Sequence, residues 1–422
     1  MRIGSRQFIQ TSVVMTAANV GAGTLGYAFQ ILMGRMLDVT EFALLTSLFA
    51  GGMVLSAPFS AMLMIVSRRV AITSARGDAA GLKRIVIHAF LSFGILVAAI
   101  LMLGHLMSVQ IATWLNLPSP LYALCLVAIP CFTALITITN GFLQGLQKFF
   151  FISAISVSAV LVKIVVALAL ISIGMGVIGA VGGLFFSNVF IVVAGIFWVS
   201  KATKLVSANL AATVTDPMVP KTPIISVILS NIAVIGVCQG DVILVNNFLF
   251  PEQAGFYAAA AVLGKAALYL PAGVAFVLYP LVASNDVKKQ SSNNYLYLSI
   301  LLALAGCLGI SITYFFIGYR LIEFFYGPAY TSAGEILCWY GFAFMPVSLV
   351  VVLENFMIAR GKVVFGWVLL MISPLFFILF PKPVDIFHFL RLISVLGVIW
   401  LVVGGLWMFR EICFTKQTAY SS

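Results

Sequence analysis

Long apolar runs alternate with short polar joints along the whole chain, and that rhythm predicts membrane-spanning helices. The runs fall at Thr11–Met33, Glu41–Val66, Ile85–Met107, Leu121–Leu143, Phe150–Ile173 and Val177–Val199 in the first half. In the second half they fall at Pro223–Asn247, Gly255–Val282, Tyr295–Gly318, Ser332–Phe356, Val363–Leu379 and Ile386–Phe409. Each is near the ~20 apolar residues that carry a helix across the hydrocarbon. None alternates apolar with polar positions, as a strand of a membrane barrel does. The expected fold is an all-α membrane protein of 12 transmembrane helices.

Composition agrees with the pattern. Hydrophobic residues make up 63% of the chain and charged residues 8%, against about 25% charge in a soluble domain. Arg2 and Arg6 precede apolar sequence as in a signal peptide, but no small-residue cleavage site follows, so the first run reads as a retained span.

Charge then sets the topology. The joints after the second, fourth, sixth, eighth and tenth runs carry Arg68, Arg69, Arg76, Lys83, Arg84, Lys148, Lys201, Lys204, Lys221, Lys288, Lys289, Arg360 and Lys362. The terminal segments add Arg2, Arg6, Arg410 and Lys416, while the opposite joints hold only Arg35, Arg320 and Lys382. The positive-inside rule places both termini in the cytoplasm. The net charge of +11 is mostly a topology device beside anionic lipid, and no basic patch interleaved with exposed aromatics points to nucleic acid. The joint near Ser108–Pro120 has no formal charge and is too short for an extracytoplasmic catalytic domain. The long joint containing Asp216-Pro217 and Pro220-Lys221-Thr222-Pro223 divides the chain into an N-terminal six-helix lobe, 1–200, a cytoplasmic linker, 201–222, and a C-terminal six-helix lobe, 223–422.

The halves echo each other. Leu37-Asp38-Val39-Thr40-Glu41-Phe42-Ala43 and Leu249-Phe250-Pro251-Glu252-Gln253-Ala254-Gly255 stand at an offset of 212, which also maps Asn19 onto Asn231. Gly145-Leu146-Gln147-Lys148 and Ala359-Arg360-Gly361-Lys362 match at an offset of 214. Paired lobes of equal orientation that rock about a shared cavity are one solution to alternating access.

An ionisable side chain inside a span is a functional candidate. Lys163 lies midway along the fifth run among Val and Ile; Asp241, Lys265, Glu354 and Arg391 lie in the seventh, eighth, tenth and twelfth, and Arg35 follows the first. If Arg35, Lys163, Lys265 and Arg391 face one central cavity, that cavity attracts anions such as a pyrophosphate. Asp241 pairs with Lys265 or binds a coupling cation, and Glu354 is the other candidate for coupling to a proton or sodium gradient. Asn19, Gln30, Asn140, Gln144, Asn231, Gln239 and Asn246 offer the neutral hydrogen bonds a glycan requires, or tie helices to one another. Phe315, Phe316, Phe324, Phe325, Trp339 and Tyr340 read as lipid-facing or belt aromatics. Gly174, Gly176, Gly179, Gly182 and Gly183 read as close-packing positions. The six cysteines lack metal-ligand spacing and read as small hydrophobes. Gly141–Gly145 lacks the Lys and Ser/Thr of a phosphate loop, so no nucleotide, metal or other cofactor is expected, and no catalytic residue.

Met33-Gly34-Arg35-Met36-Leu37 followed by Thr40-Glu41-Phe42-Ala43 resembles the first-turn signature of bacterial polysaccharide exporters. Asp241-Val242-Ile243-Leu244-Val245-Asn246-Asn247-Phe248-Leu249 running into Pro251-Glu252-Gln253-Ala254-Gly255-Phe256-Tyr257 resembles it too, as does Asn140-Gly141-Phe142-Leu143-Gln144-Gly145-Leu146 at the close of the fourth run. These motifs are similar to those of the Wzx-type O-antigen flippases, in the polysaccharide transport branch of the multidrug/oligosaccharidyl-lipid/polysaccharide (MOP) exporter superfamily. The chain departs from the pattern where Asp38-Val39-Thr40 replaces a Gly-Pro-Glu run, and it has twelve expected spans where some relatives have fourteen.

The resemblance implies a MATE-like V of two six-helix lobes in a bacterial inner membrane. It also implies alternating-access transfer of an undecaprenyl-pyrophosphate-linked oligosaccharide to the outer leaflet, among membrane lipids and polysaccharide assembly proteins. The alternatives are an ion-coupled multidrug or organic cation antiporter of the same fold, and a membrane-embedded glycosyltransferase or polymerase.

Overall fold

The computed structural model describes the backbone of residues 5–206, 224–268, 293–359, 366–372 and 385–420, with side chains placed from residue 21 onward over most of these. Its described elements are helical. They run α1 Ser5–Met36, α2 Val39–Ala75, α3 Ala79–Leu106, α4 Ser108–Trp114, α5 Pro120–Gly145, α6 Phe149–Ser172, α7 Gly176–Val206, α8 Ile224–Phe248 and α9 Pro251–Gly264, then α10 Asn293–Tyr326, a 3-10 turn Pro328–Tyr330, α11 Ala333–Ala359 and α12 Ile386–Tyr420. Among the described residues nine helices are long and apolar enough to cross a membrane. The chain is a multi-pass, all-α membrane protein. The expected spans Gly255–Val282 and Val363–Leu379 lie partly outside the described residues, as does the side-chain environment of the first.

Local chemistry sets the helix ends. Asp78 caps α3 by accepting the Gly81 N–H at 2.7 Å, and Ser119 caps α5 ahead of Pro120 at its first position. The Asp385 carboxylate caps α12 through the His388 N–H at 2.6 Å. Gly77, at φ +68, supplies the left-handed turn after α2. That helix therefore runs past the expected membrane edge at Val66 and carries Arg68 and Arg69 on its last turns. The uncharged joint after α3 holds the short helix α4. Helix α7 continues to Val206, six residues into the segment expected as a linker, and 207–223 lie outside the described residues.

The chain divides into two compact units, Met1–Pro220 and Lys221–Ser422. In the first, α2 packs on α5, α6 on α7, and α1 on α6. Small residues permit these approaches: a Cβ on Gly52 would stand 2.6 Å from the Ile129 side chain, and one on Gly183 would meet the Lys163 carbonyl oxygen and the Ala167 Cβ, both at 2.7 Å. Ser187 on α7 donates to the Ala159 carbonyl on α6 at 2.7 Å. Gly183→Ala is expected to destabilise the α6–α7 pair by about 1–3 kcal/mol, since backbone atoms there cannot step aside. Thermal denaturation of the purified variant measures this, and an unchanged midpoint would contradict the packing.

In the second unit α11 is the central helix, packing against α9, α10 and α12. Gly341 lies against Ser311, and Gly397 against Pro346 and Val347. The Tyr314 hydroxyl donates to the Leu263 carbonyl at 2.7 Å.

The 212-residue echo has a structural counterpart. α1 ends at Met36 and α8 at Phe248; α2 starts at Val39 and α9 at Pro251. Gly52 presses on α5, and Gly264, its counterpart at that offset, presses on the Tyr340 ring of α11.

Candidate functional site

The membrane-embedded charges form two arrangements, one within each unit. In the first, Lys163 projects from α6 toward α1, and its Nζ lies 4.2 Å from the centre of the Phe29 ring. Phe29 is itself fully buried and stacked on Phe49 of α2, with centroids 6.0 Å apart. A π face attracts an ammonium by about 0.5–2 kcal/mol and leaves its full charge uncompensated. Among the described residues no carboxylate pairs with Lys163. Next to Phe29, the buried Oε1 of Gln30 has no hydrogen-bond partner.

In the second unit, Asp241 of α8 is 2% exposed and Lys265, just past the end of α9, 7%. Lys265 Nζ is 3.0 Å from Asp241 Oδ1 and 2.9 Å from Gln239 Oε1. The other carboxylate oxygen, Oδ2, accepts the Tyr340 hydroxyl at 2.7 Å and the Tyr257 hydroxyl at 3.1 Å. Every member of this cluster is hydrogen-bonded, which a buried ion pair requires if it is not to destabilise the fold. Elsewhere on α8 and α11, Ser230 donates to the carboxylate of Glu354, which is 4% exposed. Asp241 and Ser230 stand 11 residues apart on α8, about 16 Å along the axis, and Tyr340 and Glu354 stand 14 apart on α11, about 21 Å. These antiparallel helices are thus clasped at two levels.

At the offset of 212, Phe29 corresponds to Asp241. The same register position in each unit therefore meets a lysine ammonium, through a π face in one and a carboxylate in the other.

The four cations expected at a cavity stand in different surroundings. Lys265 is neutralised by Asp241, and Gln239, expected among glycan contacts, bonds that lysine. Asp241 has both oxygens engaged. Arg35 is exposed in the last turn of α1, where a cation complements the helix dipole. Arg391 lies on an open groove of about 480 Å3 between α11 and α12, with Glu335, Trp339, Phe342, Phe387 and Leu390. Asn140, Gln144, Asn231 and Asn246 are half-buried, and the side chain of Asn19 lies outside the described residues. Tyr340, expected to face lipid, is fully buried, whereas Phe316 and Phe324 are exposed. Sequence reasoning missed Phe29, Ser230, Tyr257 and Tyr340. For Tyr340 a signal existed: with Phe344 and Val347 it makes a buried i, i+4, i+7 stripe opposite the exposed Trp339. Among the described residues no cluster of His, Cys, Asp and Glu is able to hold a metal ion.

No protein-family profile matches the sequence, and no curated protein resembles it significantly. Solved structures do. An inward-facing multidrug resistance MATE family transporter of the MOP superfamily aligns at a TM-score of 0.73 and 14% identity, over 96% of this chain and 99% of its own. The lipid II flippase MurJ, in an inward closed conformation, aligns at 0.68 and 15% identity, over 94% and 87%. An outward-facing MATE structure aligns at 0.60 and 16%, over 97% and 96%.

The chain has a MATE-like fold.

That fold is one of transporters, solved in both inward- and outward-facing conformations. In this chain the first unit holds a lysine on a π face, and the second a lysine neutralised by a carboxylate.

Proposed function

We propose that this transporter is a flippase that carries an undecaprenyl-pyrophosphate-linked oligosaccharide from the cytoplasmic to the outer leaflet of a bacterial inner membrane by alternating access. The observation that supports this reading is Lys163, a half-buried cation in a span, held by the Phe29 ring and by no carboxylate among the described residues. An ammonium without a carboxylate partner suits a ligand that brings phosphate charge. Both termini would be cytoplasmic, and polysaccharide assembly proteins would supply and receive the substrate.

A second reading is an ion-coupled antiporter of organic cations. Structural likeness taken alone favours it, since the multidrug transporter aligns at 0.73 and the lipid flippase at 0.68. At 14% and 15% identity these likenesses carry the fold and not the cargo. What separates the readings is charge. Two of the acids that would attract an organic cation are buried, Asp241 against Lys265 and Glu354 against Ser230. The basic Lys163 is the reachable one. A glycosyltransferase or polymerase finds no support in a transporter fold.

The test is transport in sealed proteoliposomes of known orientation, with and without imposed gradients. Movement of lipid-linked oligosaccharide is read as protection of the glycan from an external glycosidase, and movement of an organic cation as ethidium efflux. The expected result is glycan movement, slowed about tenfold or more in Lys163→Ala, the loss of one charge-assisted contact of about 1.5–3 kcal/mol, and largely kept in Lys163→Arg. Ethidium movement without glycan movement would establish the second reading.

A further inference from the structure

We infer that the Lys265 ammonium is a tethered occupant of a monovalent-cation seat on α8. This inference deepens the transporter reading and its consequence for coupling rests on that reading. The seat consists of Asp241 Oδ1 and Gln239 Oε1, 3.0 Å and 2.9 Å from Nζ. The carboxylate half of the seat is held by groups other than the lysine. The Tyr257 and Tyr340 hydroxyls both bond Oδ2, so they orient the carboxylate and leave Oδ1 to the cation. The two tyrosines come from different helices, α9 and α11, and their rings lie 5.8 Å apart. Tyr340 is stacked on Phe344 and Tyr257 stands edge-on to Phe389, so neither hydroxyl is free to swing away.

An ammonium and an alkali ion carry the same single charge and take the same hard oxygen ligands. One carboxylate oxygen with one amide carbonyl matches one positive charge and falls short of the donor set a divalent ion takes. Among the described residues no richer acidic cluster competes for such an ion. Because the lysine is covalently attached and packed at the seat, its binding there is intramolecular and independent of dissolved salt. Sodium and potassium are therefore kept out of the native protein at this point. In a transporter, Asp241 is then a fixed structural anion and takes no part in ion exchange, and Glu354 remains as the buried carboxylate of the described residues in this unit that has no cation partner.

Shortening the lysine should turn the fixed seat into an exchangeable one. The experiment compares thermal midpoints of the purified full-length protein in sodium, potassium and choline chloride at equal ionic strength, choline being too large for the seat. The wild type is expected to melt alike in all three. Lys265→Ala is expected to melt about 2–4 °C higher in sodium or potassium than in choline, through ligand linkage. The double variant Asp241→Asn/Lys265→Ala is expected to lose that difference. If Lys265→Ala folds only when sodium or potassium is present, the seat is established still more directly. Three results overturn the inference: a sodium response in the wild type, a folded Lys265→Ala indifferent to all three salts, or a response that survives in the double variant. Should Lys265→Ala fold in none of the salts, Lys265→Ser, which adds a hydroxyl ligand, is read by the same criteria, and its failure in all three overturns the inference as well. The readout needs no transport, so a chain that moves neither glycan nor ethidium can still show the seat, and a working flippase can lack it.

Discussion

Asp241→Ala is expected to lower the stability of the second unit by about 3–5 kcal/mol, the usual effect of leaving a buried charge without its partner. The Lys265 ammonium would then keep only the Gln239 carbonyl, and the Tyr257 and Tyr340 hydroxyls would lose their shared acceptor. For a unit of this size the melting midpoint should fall by roughly 10 °C. Lys265→Ala should be milder, because the carboxylate keeps both tyrosine hydrogen bonds and accepts a dissolved cation. Asp241→Asn/Lys265→Met, which removes both charges and keeps bulk, should recover most of the loss, as apolar or neutral replacements of buried pairs commonly do. Circular dichroism melts of the three variants check the order. Asp241→Ala no less stable than Lys265→Ala would show that the ammonium is not buried with the carboxylate.

The two lysines show how the repeat divides the work. Phe29 and Asp241 hold equivalent positions, yet one leaves its lysine charged toward the surroundings and the other cancels it. One unit thus holds a lysine against a π face, and the other a lysine whose charge is closed by a carboxylate. The Gly52 and Gly264 contacts, on α2 and α9, show that the packing around the two positions kept its register while the chemistry diverged.

Hydropathy revealed the spans because the bilayer imposes a length on apolar runs whatever their partners. It did not reveal where helices end. α2 continues to Ala75 because nothing before Gly77 breaks it, so membrane edge and helix end are separate events. The candidate charges were visible as residues costly to bury, and the Asp241–Lys265 pair was one of two readings left open. Choosing between them needed the two-residue joint Leu249–Phe250, which fixes how α9 folds back on α8. Tyr340 was misread because its ring counts as apolar while its hydroxyl serves a carboxylate 99 residues away. Ser230 and Glu354, 124 residues apart, meet only through the antiparallel pairing of α8 and α11, and no local pattern encodes that meeting. The likeness to solved structures carries the fold alone; the proposed polysaccharide branch rests on the turn motifs and on Lys163.

Glu354→Gln is expected to remove the part of transport that responds to an imposed ion gradient and leave gradient-free movement near the wild-type rate. The argument begins with hydrogen-bond capacity. A carboxylate offers about four acceptor positions; Asp241 has a partner on each oxygen, whereas among the described residues Glu354 accepts from the Ser230 hydroxyl. Glu354 therefore retains acceptor positions for a proton or a sodium ion, and glutamine keeps the shape and the Ser230 contact while binding neither. The clasp between α8 and α11 at this level is also one that an arriving ion can loosen, since the serine and the ion compete for the same oxygens. Proteoliposomes measured with a proton gradient, a sodium gradient and neither, on wild type, Glu354→Gln and Ser230→Ala, separate the possibilities. Acceleration of the wild type by one gradient, absent in Glu354→Gln and altered in Ser230→Ala, makes this carboxylate the coupling site and names its ion. A Glu354→Gln protein that still responds to the gradient like the wild type would place coupling elsewhere and reduce the Ser230–Glu354 contact to a helix clasp.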